Sequence, residues 1–107
     1  MTHFRIIHLL TDPFLGDRIA LGVVAEGVGF IERPNVVEQI ADEAQRSHVR
    51  AVLVALRSAT VDALPDVVGP QVMAAPVEQV PVGVDDVDAW LRAVLFGVVK
   101  PIAAAAE

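Results

Sequence analysis

The first third of the chain alternates apolar runs with short turn sequences, and this alternation limits the folds available to it. Residues Phe4–Leu10 (FRIIHLL) form an apolar run followed by the turn-forming sequence TDPFLGD. A second run spans Arg18–Glu26, and Gly27 and Gly29 then lead into a third, FIER. Apolar runs separated by Gly, Pro and Asp are typical of strands. The sequence therefore predicts an antiparallel meander of three strands, with Gly22 as a bulge or a point of close approach.

Two later segments have the spacing of amphipathic helices. Asn35 and Glu38 form an N-cap and capping-box pattern, and apolar residues then recur at helical intervals as far as His48. A closing helix is predicted over Asp86–Val99, because its apolar spacing is unbroken and its first residues are acidic. Between the two helices, the uninterrupted apolar run Ala51–Leu56 predicts a buried central strand.

Prolines restrict the rest of the chain. Pro76 and Pro81 exclude a central strand in the sequence QVMAAPVEQVPV and favour an edge strand or an extended loop. Pro101 ends the closing helix and leaves residues 101–107 as a frayed tail. Residues 1–107 are predicted to form a single α+β domain. It comprises an N-terminal antiparallel meander, one amphipathic helix, a buried central strand and a C-terminal amphipathic helix packed on the sheet.

Composition narrows the classes of protein. Hydrophobic residues make up 54% of the 107 residues, enough to close a core. The chain has no cysteine, which excludes a disulfide scaffold, a thiolate metal site and a cysteine nucleophile. No secretory leader or membrane-length apolar run is recognisable, so we expect a cytoplasmic protein.

The charge is unevenly distributed. The net charge of −6 argues against direct binding to nucleic acid or to a membrane surface, since both are anionic. The sequence after Arg57 contains seven acidic residues but only two basic ones, Arg92 and Lys100. The acidic second half is either a solvated surface or a surface that meets a basic partner.

No pattern of residues indicates catalysis or a cofactor. His3 and His8 are predicted on opposite faces of the first strand, and no carboxylate has a spacing that would complete a metal site. No serine lies in a glycine-flanked elbow, and the glycines of GVGF lack the pattern of a phosphate loop. We therefore predict no catalytic, cofactor-binding or metal-binding residue. Asp12, Asp17, His8 and Arg18 come nearest to an acid–base site.

The closing helix is apolar on a second side as well. Ala89, Ala93, Phe96 and Val99 recur there, and Asp85 and Asp86 precede them. Such a helix is either wrapped by its own domain or packed against another chain. These six residues are the candidate interface.

Two segments resemble a family of small bacterial proteins grouped as domain of unknown function 3037. The first, FRIIHLLTDPFLGDRIALGVVAE, has the family's Asp-Pro turn, acidic residue and Gly-Val-Val strand, matched by Asp12, Pro13, Gly16, Asp17, Gly22, Val23 and Val24. Ala20 replaces the family's usual Asn. The second, PVGVDDVDAWLRAVLFGVV, resembles the family's closing helix, with matches at Pro81, Gly83, Asp85, Asp86, Leu91 and Val98. Members are often encoded beside kinase-like proteins of the toxin–antitoxin type, so the resemblance implies a partner-binding role.

The leading hypothesis is a non-enzymatic protein-interaction or regulatory module, which binds a partner or associates with itself. One alternative is an acidic inhibitor, encoded by a phage or mobile element, that occupies the basic channel of a nucleic-acid-handling defence enzyme. A second alternative is a small enzyme that uses a cleft at the first turn.

Overall fold

The computed structural model, which describes residues 2–12, 16–96 and 102–103, combines an antiparallel sheet with helices. The chain opens with three strands: β1 (His3–Asp12), β2 (Asp17–Ala25) and β3 (Gly29–Glu32). Each corresponds to a predicted strand, so the meander and the α+β class are confirmed. Gly27 and Gly29 have φ values of 72° and 89°, which the tight turn between β2 and β3 requires.

Short strands complete the sheet: β4 (Val67–Gly69), β5 (Val72–Ala74), β6 (Glu78–Gln79) and β7 (Ile102–Ala103). The order is β3-β2-β1-β5-β4, while β6 pairs with β1 and β7 with β6. All the pairings are antiparallel.

Pro70 lies between β4 and β5, Pro76 lies between β5 and β6, and Pro81 follows β6, so their missing N–H groups interrupt no strand. The exclusion of an inner strand before Pro76 was nevertheless wrong. Strand β5 lies between β1 and β4 because it ends at Ala74, before the proline. The predicted frayed tail falls mostly outside the described residues, but Ile102–Ala103 departs from it by pairing with β6.

The first helix begins later than the sequence predicted. Only a 3-10 turn, Val37–Gln39, follows Asn35, and α1 spans Glu43–Leu56. Asn35 has a φ of 59°, a left-handed conformation that a helix N-cap does not adopt. The cap is Asp42, whose carboxylate accepts a hydrogen bond of 3.1 Å from the backbone N–H of Gln45.

The predicted buried central strand at Ala51–Leu56 is therefore wrong, since these residues form the last turns of α1. The side chains of Val52, Leu53 and Leu56 are buried, whereas Val54 is 59% exposed. A short continuous apolar run suits a helix packed on a sheet as well as it suits a covered strand. The central position in the sheet belongs to β1.

The core is divided between two clusters. One includes Ile7 and Leu9 of β1, Val72 and Ala74 of β5, and the buried residues of α1. The other contains Phe4, Val23, Ala25, Ile31, Val80, Leu91 and Leu95. Successive side chains of a strand point to opposite faces, so the two clusters lie on opposite faces of the sheet.

Strand β2 contains a β-bulge where it pairs with the middle of β1. Ile7 of β1 pairs with Gly22 and His8 pairs with Ala20, so Leu21 is the extra residue. A Cβ at Gly22 would lie 2.4 Å from the carbonyl oxygen of Ile31 and 2.6 Å from the ring of Phe30. Gly22 thus lies next to the bulge and is a point of close approach, the second of the two roles that the sequence offered for it.

The buried guanidinium of Arg5 connects β1 by hydrogen bonds to the loops before β4 and after β5. Arg5 of β1 is only 6% exposed, and its guanidinium donates hydrogen bonds to the carbonyl oxygens of Leu64 and Ala75, each at 2.7 Å. It also donates to the carboxylate of Asp66 at 2.6 Å. The hydrogen bonds satisfy both the guanidinium and two carbonyl groups of the irregular chain before β4 and after β5.

Candidate interaction surface and adjoining groove

The closing helix α2 spans Val87–Leu95 and packs on one face of the sheet. Asp86 is its N-cap and accepts a hydrogen bond of 3.0 Å from the N–H of Ala89. On the inner side, Leu91 and Leu95 belong to the cluster of Phe4. The ring of Trp90 meets that of Phe4 edge to face, with 5.6 Å between centroids. The predicted N-terminus and core-facing side of this helix are therefore present.

The predicted second apolar side of α2 faces outward. Ala89 is exposed, Ala93 is half-buried and the ring of Phe96 is 56% exposed. These residues are spaced i, i+4 and i+7, so they lie along one side of the helix and its cap. Asp85 and Asp86 are exposed at the N-terminal end. We call Asp85, Asp86, Ala89, Ala93 and Phe96 the outer surface of α2.

The sixth candidate interface residue, Val99, lies outside the described residues. The described helix ends at Leu95, with Phe96 as the C-cap. The rest of the predicted span, residues 97–99, lies outside the described residues.

Charged side chains border the outer surface. The guanidinium of Arg33 lies 5.9 Å from the centroid of the Phe96 ring, a cation–π distance. Asp88 and Arg92 form an ion pair along the helix. The ring of Phe96 thus contacts Arg33 and still has more than half of its residue's surface exposed to solvent.

The same face of the sheet carries a groove beside α2. Its lining residues come from the face of β1 that also meets α2, from β2 and from the chain around β5 and β6: Ile6, His8, Leu10, Arg18, Met73, Ala74, Ala75, Pro76 and Glu78. Its volume is about 520 Å³. Most of the wall is apolar, and three ionisable side chains, of His8, Arg18 and Glu78, interrupt it.

Burial changes the ionisation of two groove residues. It lowers the pKa of His8, and the nearby charge of Arg18 lowers the same pKa further. Nδ1 of His8 is buried and has no hydrogen-bond partner among the described residues. Burial raises the pKa of Glu78. The groove therefore favours a neutral imidazole and disfavours the ionised form of its one carboxyl group.

Of the four residues nearest to an acid–base site in the sequence, the structure brings His8 and Arg18 together. His8 and Arg18 share the groove, whereas Asp17 is exposed at the start of β2 and is not part of its wall. The side chain of Asp12 lies outside the described part of the chain. Sequence reasoning missed Glu78, because its position in the groove that His8 also lines depends on the pairing of β6 with β1.

The other two histidines have structural partners. The backbone N–H and the Nδ1–H of His3 both donate to Oε1 of Glu26, at 2.7 and 2.8 Å, and these hydrogen bonds lower the pKa of Glu26. His48 lies in the middle of α1, not at its end as the sequence predicted. Its Nε2–H donates a hydrogen bond of 3.0 Å to the carbonyl oxygen of Pro70. Within residues 2–12, 16–96 and 102–103, no three metal-ligating side chains converge.

Among the described helices, neither α1 nor α2 is both long and apolar enough to cross a bilayer.

Comparison of the chain with family models, with curated proteins and with solved structures gives no match in any of the three. The fold and the surface geometry are therefore the basis for a functional proposal.

Proposed function

We propose that this protein is an interaction module that binds another protein through the outer surface of α2. The observation that supports this most directly is the half-exposed ring of Phe96, which continues the line of Ala89 and Ala93. Large aromatic side chains supply much of the binding energy at protein interfaces when they enter a pocket on the partner. Small residues beside such a ring let the partner approach closely.

The charges around this surface define the partner further. Asp85 and Asp86 are exposed at one end of the outer surface, and the net charge of the chain is −6. A complementary partner presents an apolar pocket bordered by Lys or Arg. Such charges raise the rate of association and exclude acidic competitors more than they add to affinity.

The test compares two exposed apolar residues on different helices. After a partner has been captured and purified, isothermal titration calorimetry measures its binding to the wild type, to Phe96→Ala and to Val54→Ala. Val54 is the matched control because it is 59% exposed on the outer side of α1. We expect Phe96→Ala to weaken binding about 10- to 30-fold, the range of an interface anchor, and Val54→Ala to leave it unchanged.

Both variants should unfold within about 0.5 kcal/mol of the wild type, because both side chains are largely exposed. Equal affinities for the wild type and Phe96→Ala would contradict the proposal. Light scattering of the isolated protein separates a second outcome: a dimer that Phe96→Ala dissociates would identify the partner as a second copy. An affinity that falls steeply with salt, and is unaffected by Phe96→Ala, would instead favour the acidic inhibitor.

A further inference from the structure

We propose a second binding site, independent of α2: the groove beside it holds a short apolar peptide with free termini. The carboxylate of the peptide lies at Arg18 and His8, and its ammonium group lies at Glu78. The volume of about 520 Å³ is within the usual range of ligand sites, which combine apolar walls with a few polar groups. The apolar walls contributed by Ile6, Leu10 and Met73 suit aliphatic side chains.

The floor of the groove excludes binding by strand addition. Strand β1 is paired with β2 on one side and with β5 and β6 on the other. The backbone groups of β1 are therefore engaged in the sheet, so β1 contributes only side chains to recognition of the ligand.

The two groove charges of opposite sign lie at opposite ends of this floor. Arg18 is paired with Leu10 of β1, and Glu78 is paired with Phe4, six positions away. At about 3.3 Å per residue, six positions correspond to about 20 Å. An extended peptide of about five residues reaches roughly 17 Å, so its two termini approach both charges.

Neither charge is neutralised within the described chain. The ion pairs among the described residues include neither Arg18 nor Glu78. His8 lies between them along β1 and contributes to the groove wall. Its Nδ1 is buried, so a ligand in the groove can contact only the rest of the imidazole. A zwitterion of this length complements both charges and passes over the imidazole between them.

The experiment titrates the protein with a five-residue peptide of alanine and leucine, and compares free, N-acetylated and C-amidated forms by heteronuclear NMR. We expect the free peptide to shift the amides of β1, β2 and β5. Blocking either terminus should weaken binding about fivefold, as for a partly exposed ion pair. The imidazole titration of His8 should move to higher pH on binding, because a carboxylate stabilises its charged form.

Matched variants assign each terminus to a residue. Glu78→Gln should weaken the free peptide about as much as N-acetylation does, and should abolish the effect of N-acetylation. Arg18→Gln should do the same for C-amidation. Glu38→Gln and Arg50→Gln, exposed residues away from the groove, serve as controls and should change nothing. The proposal is overturned by no binding at millimolar peptide, by equal binding of a doubly blocked peptide, or by shifts confined to α2. The first two outcomes leave the binding role of Phe96 untouched, and shifts confined to α2 would place the peptide on its outer surface instead.

Discussion

Two single residues decide local structure in this protein, Gly22 because it has no side chain and Arg5 because its side chain is long and charged. Gly22 permits a backbone approach that no other residue allows, since any Cβ would meet the carbonyl of Ile31. Arg5 acts through its long side chain. Its guanidinium donates hydrogen bonds to the carbonyl oxygens of Leu64 and Ala75, which lie in the loops packed beside β1. The meander depends on the first residue and the attachment of the later loops on the second.

Substitution of Gly22 tests the close approach. We expect Gly22→Ala to lower the free energy of unfolding by about 2 kcal/mol, because the added methyl group forces β2 and β3 apart. Gly69→Ala is the matched control: the nearest atom to its Cβ position is 3.6 Å away, in the ring of His48, and its φ is not positive. That variant should be neutral or slightly stabilising. Urea denaturation measures both, and equal costs at the two sites would show that the predicted clash relaxes freely.

At the scale of elements, α1 shows how a capping signal competes with its context. Asn35 and Glu38 have the spacing of a capping box, yet the chain at Asn35 turns in a left-handed conformation and only a 3-10 turn follows. Val36 and Ile40 are buried in the cluster of α1. Burying these two side chains next to the sheet fixes the path of the segment, and the helix begins only after it, at Glu43 with Asp42 as the N-cap.

A pair of substitutions distinguishes the two caps. Asp42→Ala should destabilise the protein by about 1 kcal/mol, the usual contribution of an N-cap side chain. Asn35→Gly should change stability by less than about 0.5 kcal/mol, because glycine adopts a φ of 59° without strain. Thermal unfolding followed by circular dichroism measures both. If Asn35→Gly lost more stability than Asp42→Ala, the N-cap would be Asn35, as the sequence predicted.

At the scale of the whole molecule, one face of the sheet packs against α1, and among the described residues the other face carries both α2 and an open groove. The second face therefore carries two kinds of surface. One is the outer surface of α2, and the other is the groove lined by His8, Arg18 and Glu78. An incompletely covered sheet places titratable side chains at half-buried positions, and the stability of the protein then depends on pH.

The two groove residues with shifted pKa values act in opposite directions. The folded pKa of His8 lies below its ordinary value of 6.5, so the unfolded chain binds the proton more readily and stability is lost as the pH falls through 6.5. The folded pKa of Glu78 lies above 4.5, so the folded protein binds the proton more readily and stability is lost as the pH rises past 4.5.

These signs give a prediction for two variants measured by chemical denaturation. Between about pH 7.5 and about pH 5.5, His8→Gln should lose less stability than the wild type does. Glu78→Gln should be more stable than the wild type at about pH 7.5, and this difference should vanish near pH 4. Parallel pH profiles for the wild type and His8→Gln would show that His8 is not shifted by the fold.

The resemblance to the domain of unknown function 3037 family stays a prediction at this scale. Its Gly-Val-Val strand and its acidic helix start are both present as structure, in β2 and at Asp86. A turn, a strand and a capped helix also occur in many unrelated folds, so their presence does not distinguish the family.

The sequence by itself determined the elements that are encoded locally. Gly27 and Gly29 placed the turn between β2 and β3, and the regular apolar spacing after Asp86 placed α2 and its second apolar side, because both signals act over a few residues. Tertiary structure alone decided whether Ala51–Leu56 became helix or strand, since burial against the sheet selects between conformations that the run permits equally. It also brought Glu78 onto the face of His8 and Arg18, because strand pairing joins residues that are 60 or more positions apart along the chain.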